Sequence, residues 1–224
     1  MTEKYVYKFF DKEVCEGSAD MKNLLGGKGA NLAEMTSLGL PVPPGFVVST
    51  QACLHFLANN EEYPVGLKAE VDEALEALET HMGKKLGDNE DPLLVSVRSG
   101  ARISMPGMMD TVLNLGLNKD TVAAMIKLTG NERFVMDSYR RFIQMFGDVV
   151  MNVPHHASAP ELDAVKKKKK VALDTDLTAD DLKEVIVRYK KIVKKDTGKN
   201  FPNDPMAQLY AGIDAVFGSW NNPR

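Results

Sequence analysis

Cysteine, histidine and tryptophan are scarce in this chain of 224 residues, and no apolar run is long. The two cysteines, Cys15 and Cys53, stand in unrelated contexts. That excludes a disulfide framework and points to free thiols in a reducing compartment. The four histidines are not spaced as metal ligands. His55 falls in an expected helix without a partner one turn away, and His81 sits on the surface of another. His155 and His156 adjoin Pro154 in a loop, where neighbours rarely serve one ion, so no zinc site is expected. No stretch approaches the roughly 20 apolar residues of a membrane helix, and the opening MTEKYVYKFF is too polar for a secretory signal. A basic excess is missing too. The formal net charge of −3 argues against a general nucleic-acid binder. The five consecutive lysines at 166–170 are expected to form a solvated helix face. These absences lead us to expect a cytoplasmic protein, with organellar targeting upstream of Met1 left open, that binds neither nucleic acid nor membrane.

What is present is ordinary globular composition, 44% hydrophobic and 26% charged, in a chain long enough for one large domain or two small ones. The most informative stretch is 93–117, LLVSVRSGARISMPGMMDTVLNLGL. Leu93, Leu94, Val95 and Val97 predict a buried strand, and Arg98-Ser99-Gly100 ends it. Arg98 therefore emerges at a strand end, where a guanidinium can fork two donors onto a phosphate. Hydroxyls at Ser99 and Ser104 can add polar contacts. Pro106 and Gly107 suit a type II turn, after which Gly107, Met108 and Met109 offer backbone N–H groups on a loop able to close over a polyphosphate.

A second block, LLGGKGANLAEM at 24–35, runs from glycines into a helix carrying Ala30, Leu32, Ala33 and Met35. Lys28 thus stands at a helix start, adding its ammonium to a field that already favours anions. It is not a Walker loop, since Gly29 rather than Ser or Thr follows the lysine.

Elsewhere the pattern predicts strands at 5–10 and 45–48 and a short helix capped by Thr50. A helix follows with Leu67, Val71, Ala74, Leu75, Leu78 and Met82 on one face, closed by Gly83. Beyond Leu117 the period changes from two to 3.6, which sets the expected boundary of a second unit. Val135, Tyr139, Phe142, Phe146 and Val149 mark a long amphipathic helix with Arg140 and Arg141 on its more polar side. Thr178 with Asp181 forms a capping box ahead of Leu182, Val185, Ile186, Tyr189, Ile192 and Val193. A last helix starts at Asp204-Pro205 and carries Leu209, Ile213, Val216, Phe217 and Trp220, the tryptophan being read as core.

VRSGARISMPGMMDTVLNLGLN resembles the corresponding segment of the pyruvate, phosphate dikinase family, and so do LLGGKGANLAEM, GLPVPPGFVVST, DTDLTADDLKE and SWNNPR. The resemblance covers nearly the whole chain. It implies an α+β fold forming part of an ATP-grasp nucleotide-binding domain: residues 1–117 as its first lobe, 118–198 as a mostly helical insertion, and 199–224 as a helix returning to that lobe. It also implies that Lys28 and Arg98 bind the polyphosphate of ATP or AMP beside Gly26, Gly27 and Gly29. The loop of Ser104, Met105, Pro106, Gly107, Met108, Met109, Asp110 and Thr111 would cover its far end.

In that family ATP, pyruvate and phosphate are interconverted with AMP, phosphoenolpyruvate and pyrophosphate, through a histidine on a separate swivelling domain. The chain carries no match to the phosphohistidine motif, and the magnesium ligands are expected in a second ATP-grasp lobe that it also lacks. It is therefore expected to be a truncated part of a homo-oligomeric enzyme, with no catalytic residue of its own, inactive alone, and with the second lobe and the histidine domain as partners. Two alternatives differ in class. Phosphoenolpyruvate synthases share the GGK and VRS blocks but lack the SMPGMMDT loop. A non-catalytic nucleotide-sensing or docking module would keep the phosphate loop as a relic.

Overall fold

A computed structural model of the chain describes residues 3–100 and 111–221. In chain order the elements are β1 (Val6–Phe9), α1 (Lys22–Ser37), β2 (Gly45–Val48), α2 (Thr50–Ala58), α3 (Leu67–Met82), β3 (Lys85–Leu86), β4 (Pro92–Leu93), β5 (Val95–Arg98), β6 (Thr111–Leu115), α4 (Lys119–Thr129), α5 (Glu132–Val149), α6 (Ala159–Lys169), α7 (Ala179–Thr197) and α8 (Pro205–Gly218). The fold is α+β, with helices predominating over small two-stranded sheets.

Two compact units divide the chain. One takes the described residues of Met1–Lys84, Arg98–Asp110 and Val216–Arg224, and the other takes Lys85–Val97 and Thr111–Ala215. These units do not follow the expected division at residues 117 and 198. The pairing of β5 with β6, and the packing of α5 on β6, group Val95 to Val97 with the later helices.

In the first unit, β1 and β2 pair antiparallel with Val6 opposite Val48 and Phe9 opposite Gly45. A two-stranded pair is marginal in water by itself, so helices must cover it. α3 does so with Leu67, Val71, Ala74, Leu75 and Leu78, the face expected from the sequence except for Met82, which is exposed at the end of the helix. Its Glu70 also accepts the Tyr5 and Val6 N–H groups at 2.8 and 2.9 Å, which satisfies backbone donors at the start of β1. α2 is capped by Ser49, whose buried hydroxyl accepts the Ala52 N–H at 3.3 Å, and not by Thr50 as expected. Ser49 holds the extended backbone that a cap requires, whereas Thr50 is already the first helical residue.

In the second unit α5 packs along α7, and Phe142, Phe146 and Phe201 form an aromatic trio with ring centroids 5.3 to 5.7 Å apart. Burial of each such ring stabilises by about 1.5–3 kcal/mol. The capping box expected at the start of α7 is present, with the Asp181 carboxylate accepting the Thr178 N–H at 3.0 Å. Fully buried Gln208 on α8 accepts the Gly116 N–H at 2.9 Å and donates to the Leu117 and Pro202 carbonyls, tying that helix to the end of β6. Leu93 is buried as expected, but Val95 and Val97 are only half-buried, because β5 has a single partner strand.

Two charged features differ from expectation. Arg140 is buried rather than on a polar face, because Asp137 one turn earlier pairs with it and Gln144 lies within reach. The lysine run is not simply solvated. Lys166 bridges Asp163 and Asp174, Lys168 pairs with Glu184, and Lys169 pairs with Asp181, so α6 is stitched to α7 and to the turn before it.

Candidate functional site

The GGKG block begins as one helix and becomes another. Gly26 has φ 70° and ψ 168°, a non-helical conformation inside α1. That region of backbone space is essentially open to glycine alone. The break makes Gly27, Lys28 and Gly29 the first turn of a fresh helical segment, whose N–H groups include ones without a partner further back in that segment. Lys28 is exposed there, and Gly29 is buried against β2. A β-carbon at Gly29 would meet both Val47 methyls at 3.0 Å. Glycine at position 29 therefore lets the helix start lie close to its support.

Arg98 is the last residue of β5 and is exposed, as a strand-end arginine should be. Ser99 is buried, and its hydroxyl accepts the indole N–H of Trp220 at 3.2 Å. Gly100 then approaches the helix start. A β-carbon placed on it would lie 3.6 Å from the Leu25 carbonyl oxygen, 3.7 Å from the Gly29 amide nitrogen and 3.9 Å from the Lys28 β-carbon. Two stretches some seventy positions apart, GGKG and RSG, are thus brought into contact.

The remaining expected site residues fall differently. Ser104, Met105, Pro106, Gly107, Met108, Met109 and Asp110 lie outside the described residues. Thr111 is the first residue of β6 rather than part of a loop. Among the described residues, no group of three histidine, cysteine, aspartate or glutamate side chains is placed to hold a metal ion. The buried Cys53 thiol is pushed up to about 12 by desolvation, which keeps it a protonated core group and not a nucleophile.

Sequence reasoning missed two supports of this region. The Thr50 hydroxyl donates to the Asn23 carbonyl at 2.6 Å, fixing the turn of α1 that precedes the Gly26 break. Trp220 holds Ser99. Only the general tendency of a half-buried tryptophan to seek an acceptor for its N–H hinted at the second.

A helix restarted at a glycine beside a lysine, meeting the end of a strand that carries an arginine, defines a class: an α+β domain suited to phosphate. Known proteins narrow the class. The family described as pyruvate phosphate dikinase, AMP/ATP-binding domain, matches residues 22–80 and 59–224. The chain belongs to that family. Pyruvate, phosphate dikinase of Clostridium symbiosum is 55% identical over 222 residues, covering 99% of this chain and 25% of that protein. Pyruvate, phosphate dikinase 1, chloroplastic, of Oryza sativa subsp. japonica is 54% identical over 223 residues, covering 100% of this chain and 23% of the relative. Pyruvate, phosphate dikinase 2 of Zea mays is 55% identical over 215 residues, 96% of this chain and 24% of that one. The chain thus spans about a quarter of the length of these relatives.

Proposed function

We propose that this chain holds the polyphosphate of ATP, through Lys28 and Arg98, as the nucleotide-binding part of a pyruvate, phosphate dikinase of ATP-grasp type. The observation that carries the reading is the contact of Gly100 with the helix start at Lys28 and Gly29, which brings the backbone of both cationic segments together. An ammonium, a guanidinium and helix-start N–H groups stabilise negative charge without covalent chemistry. That is the main service a protein performs in phosphoryl transfer. Residues 104–110 would cover the far end of the polyphosphate, as the resemblance to the family implies. Magnesium would be held by a part of the enzyme outside this chain, since a single aspartate, Asp110, makes a poor magnesium site.

Phosphoryl groups would then pass to a histidine on another domain and on to pyruvate, with ATP, pyruvate and phosphate giving AMP, phosphoenolpyruvate and pyrophosphate. The two half-reactions occur at separate sites, and only one uses this domain. The test is Arg98→Leu in the full-length enzyme. The ATP half-reaction should be lost while phosphoryl exchange between phosphoenolpyruvate and the histidine survives. Equal damage to both half-reactions in a folded protein would remove Arg98 from the nucleotide site.

A further inference from the structure

We propose that Trp220 is a positioning residue for the phosphate site: through its hydrogen bond to Ser99 it fixes the Arg98-Ser99-Gly100 turn against the helix start at Lys28. This rests on the nucleotide-site reading above and extends it to a residue beyond Lys28 and Arg98.

The chain of contacts lies within one compact unit and begins at α2. Phe56 of α2 packs edge-on against Phe217 with centroids 5.3 Å apart, and Tyr63 closes on both rings at 5.5 and 6.4 Å. The end of α8 is therefore seated on the α2 core. From that anchor the Ser219 hydroxyl donates to the Val216 carbonyl at 2.7 Å, tightening the turn that presents Trp220. The indole N–H then donates to the buried Ser99 hydroxyl at 3.2 Å.

Ser99 sits between the two residues that matter. On one side is exposed Arg98, and on the other is Gly100, within van der Waals reach of the Lys28 segment. The same helix α2 holds the opposite wall, since its first residue, Thr50, donates to the Asn23 carbonyl ahead of the Gly26 break. One scaffold helix thus sets both phosphate-binding stretches, the lysine side directly and the arginine side through Trp220. A guanidinium on a fixed turn loses less freedom on binding an anion than one on a loose turn, so weakening the latch should weaken phosphate binding.

Trp220 is the single tryptophan of the chain, so tryptophan emission reports on this one indole. The experiment titrates ATP into the chain by calorimetry and by tryptophan fluorescence. Variants are Trp220→Phe, Ser99→Ala, their double, Ser99→Thr, Lys28→Ala and Arg98→Leu, each checked for a cooperative melt. Trp220→Phe keeps an aromatic ring, loses the indole N–H and, having no tryptophan left, is followed by calorimetry alone. It and Ser99→Ala should each weaken ATP by roughly threefold to tenfold. The double should be no worse than either single, Ser99→Thr should bind as the parent does, and the ATP-induced emission change should vanish in Ser99→Ala.

If Lys28→Ala and Arg98→Leu weaken ATP while Trp220→Phe and Ser99→Ala do not, or if those two effects simply add, the positioning role is overturned and the site stands. If ATP fails to bind the parent chain, or none of the variants matters, the nucleotide-site reading falls and takes this role with it. Should Trp220→Phe not fold, Ser99→Ala, which removes a single oxygen, and Ser99→Thr decide the matter.

Discussion

Gly100 and Lys28 meet across the fold: a β-carbon on the glycine would stand 3.9 Å from the β-carbon of the lysine, at ordinary contact distance. There is room for a methyl group and for little more, because the Leu25 carbonyl and the Gly29 amide flank the same spot at 3.6 and 3.7 Å. Gly100→Ala should therefore leave folding and ATP affinity nearly unchanged. Gly100→Leu should push the strand end off the helix start and reduce ATP affinity by about tenfold or more, given that misplacing a binding group by an ångström is costly. Calorimetric titration of the two variants checks the contrast.

Gly26 makes a separate prediction. Its φ of 70° with ψ of 168° restarts the helix at the lysine. Any residue with a β-carbon is strained there by about 1–3 kcal/mol. Gly26→Ala should lower stability by that order in urea unfolding and weaken ATP as well. If the substitution is neutral for both, the break at Gly26 is not what presents Lys28.

Much of this fold was legible because burial repeats locally. The stripes of α3, α5 and α7, that of α8 as far as Phe217, and the Thr178–Asp181 box follow from spacing within one helix, whereas Trp220, expected as core on the α8 stripe, is half-buried in the short turn beyond that helix. What escaped the sequence was decided at a distance or by backbone angles. Ser49 and Thr50 are adjacent hydroxyls, and only the extended backbone of the first selects it as the cap. Arg140 reads as surface until Asp137 is seen to neutralise it inside the unit. The change of period at Leu117 is real, yet β5 and β6 side with the helices because strand pairing, not periodicity, groups them. At the proposed site, the helix start at Lys28 and the strand end at Arg98 were readable from local pattern, whereas the Thr50 and Trp220 supports depend on partners 27 and 121 positions away.

The Arg140 pair carries a third prediction. Asp137 lies one turn before Arg140, whose side chain is 5% exposed, and truncating the acid leaves that guanidinium buried with weakened compensation. Asp137→Ala should cost about 3–5 kcal/mol, while replacing both residues by apolar ones of similar size should recover most of the loss. Denaturant melts of the single and double variants measure this directly.

Acid sensitivity should concentrate at α7. The Asp181 carboxyl is held down at about 2, from an ordinary 3.8, foremost by the Lys169 ammonium at 2.6 Å and then by the Thr178 hydroxyl and N–H. A carboxyl lowered in the folded state stabilises fully above its unfolded value and loses that contribution as pH falls through the window from 3.8 to about 2. Asp181→Asn should lose on the order of 1 kcal/mol at neutral pH, the scale of a helix cap. It should also show a flatter stability profile across that acidic window, measured by urea unfolding at a series of pH values.

The central claim is that Lys28 and Arg98 share one polyphosphate, and a crystal structure of the chain grown with ATP tests it most directly. The expected result places phosphate oxygens within about 2.7–3.2 Å of the Lys28 Nζ and the Arg98 guanidinium, beside the helix restarted at Gly26. ATP phosphates bound away from these two residues, or their charged ends directed to faces with no shared anion, would contradict it.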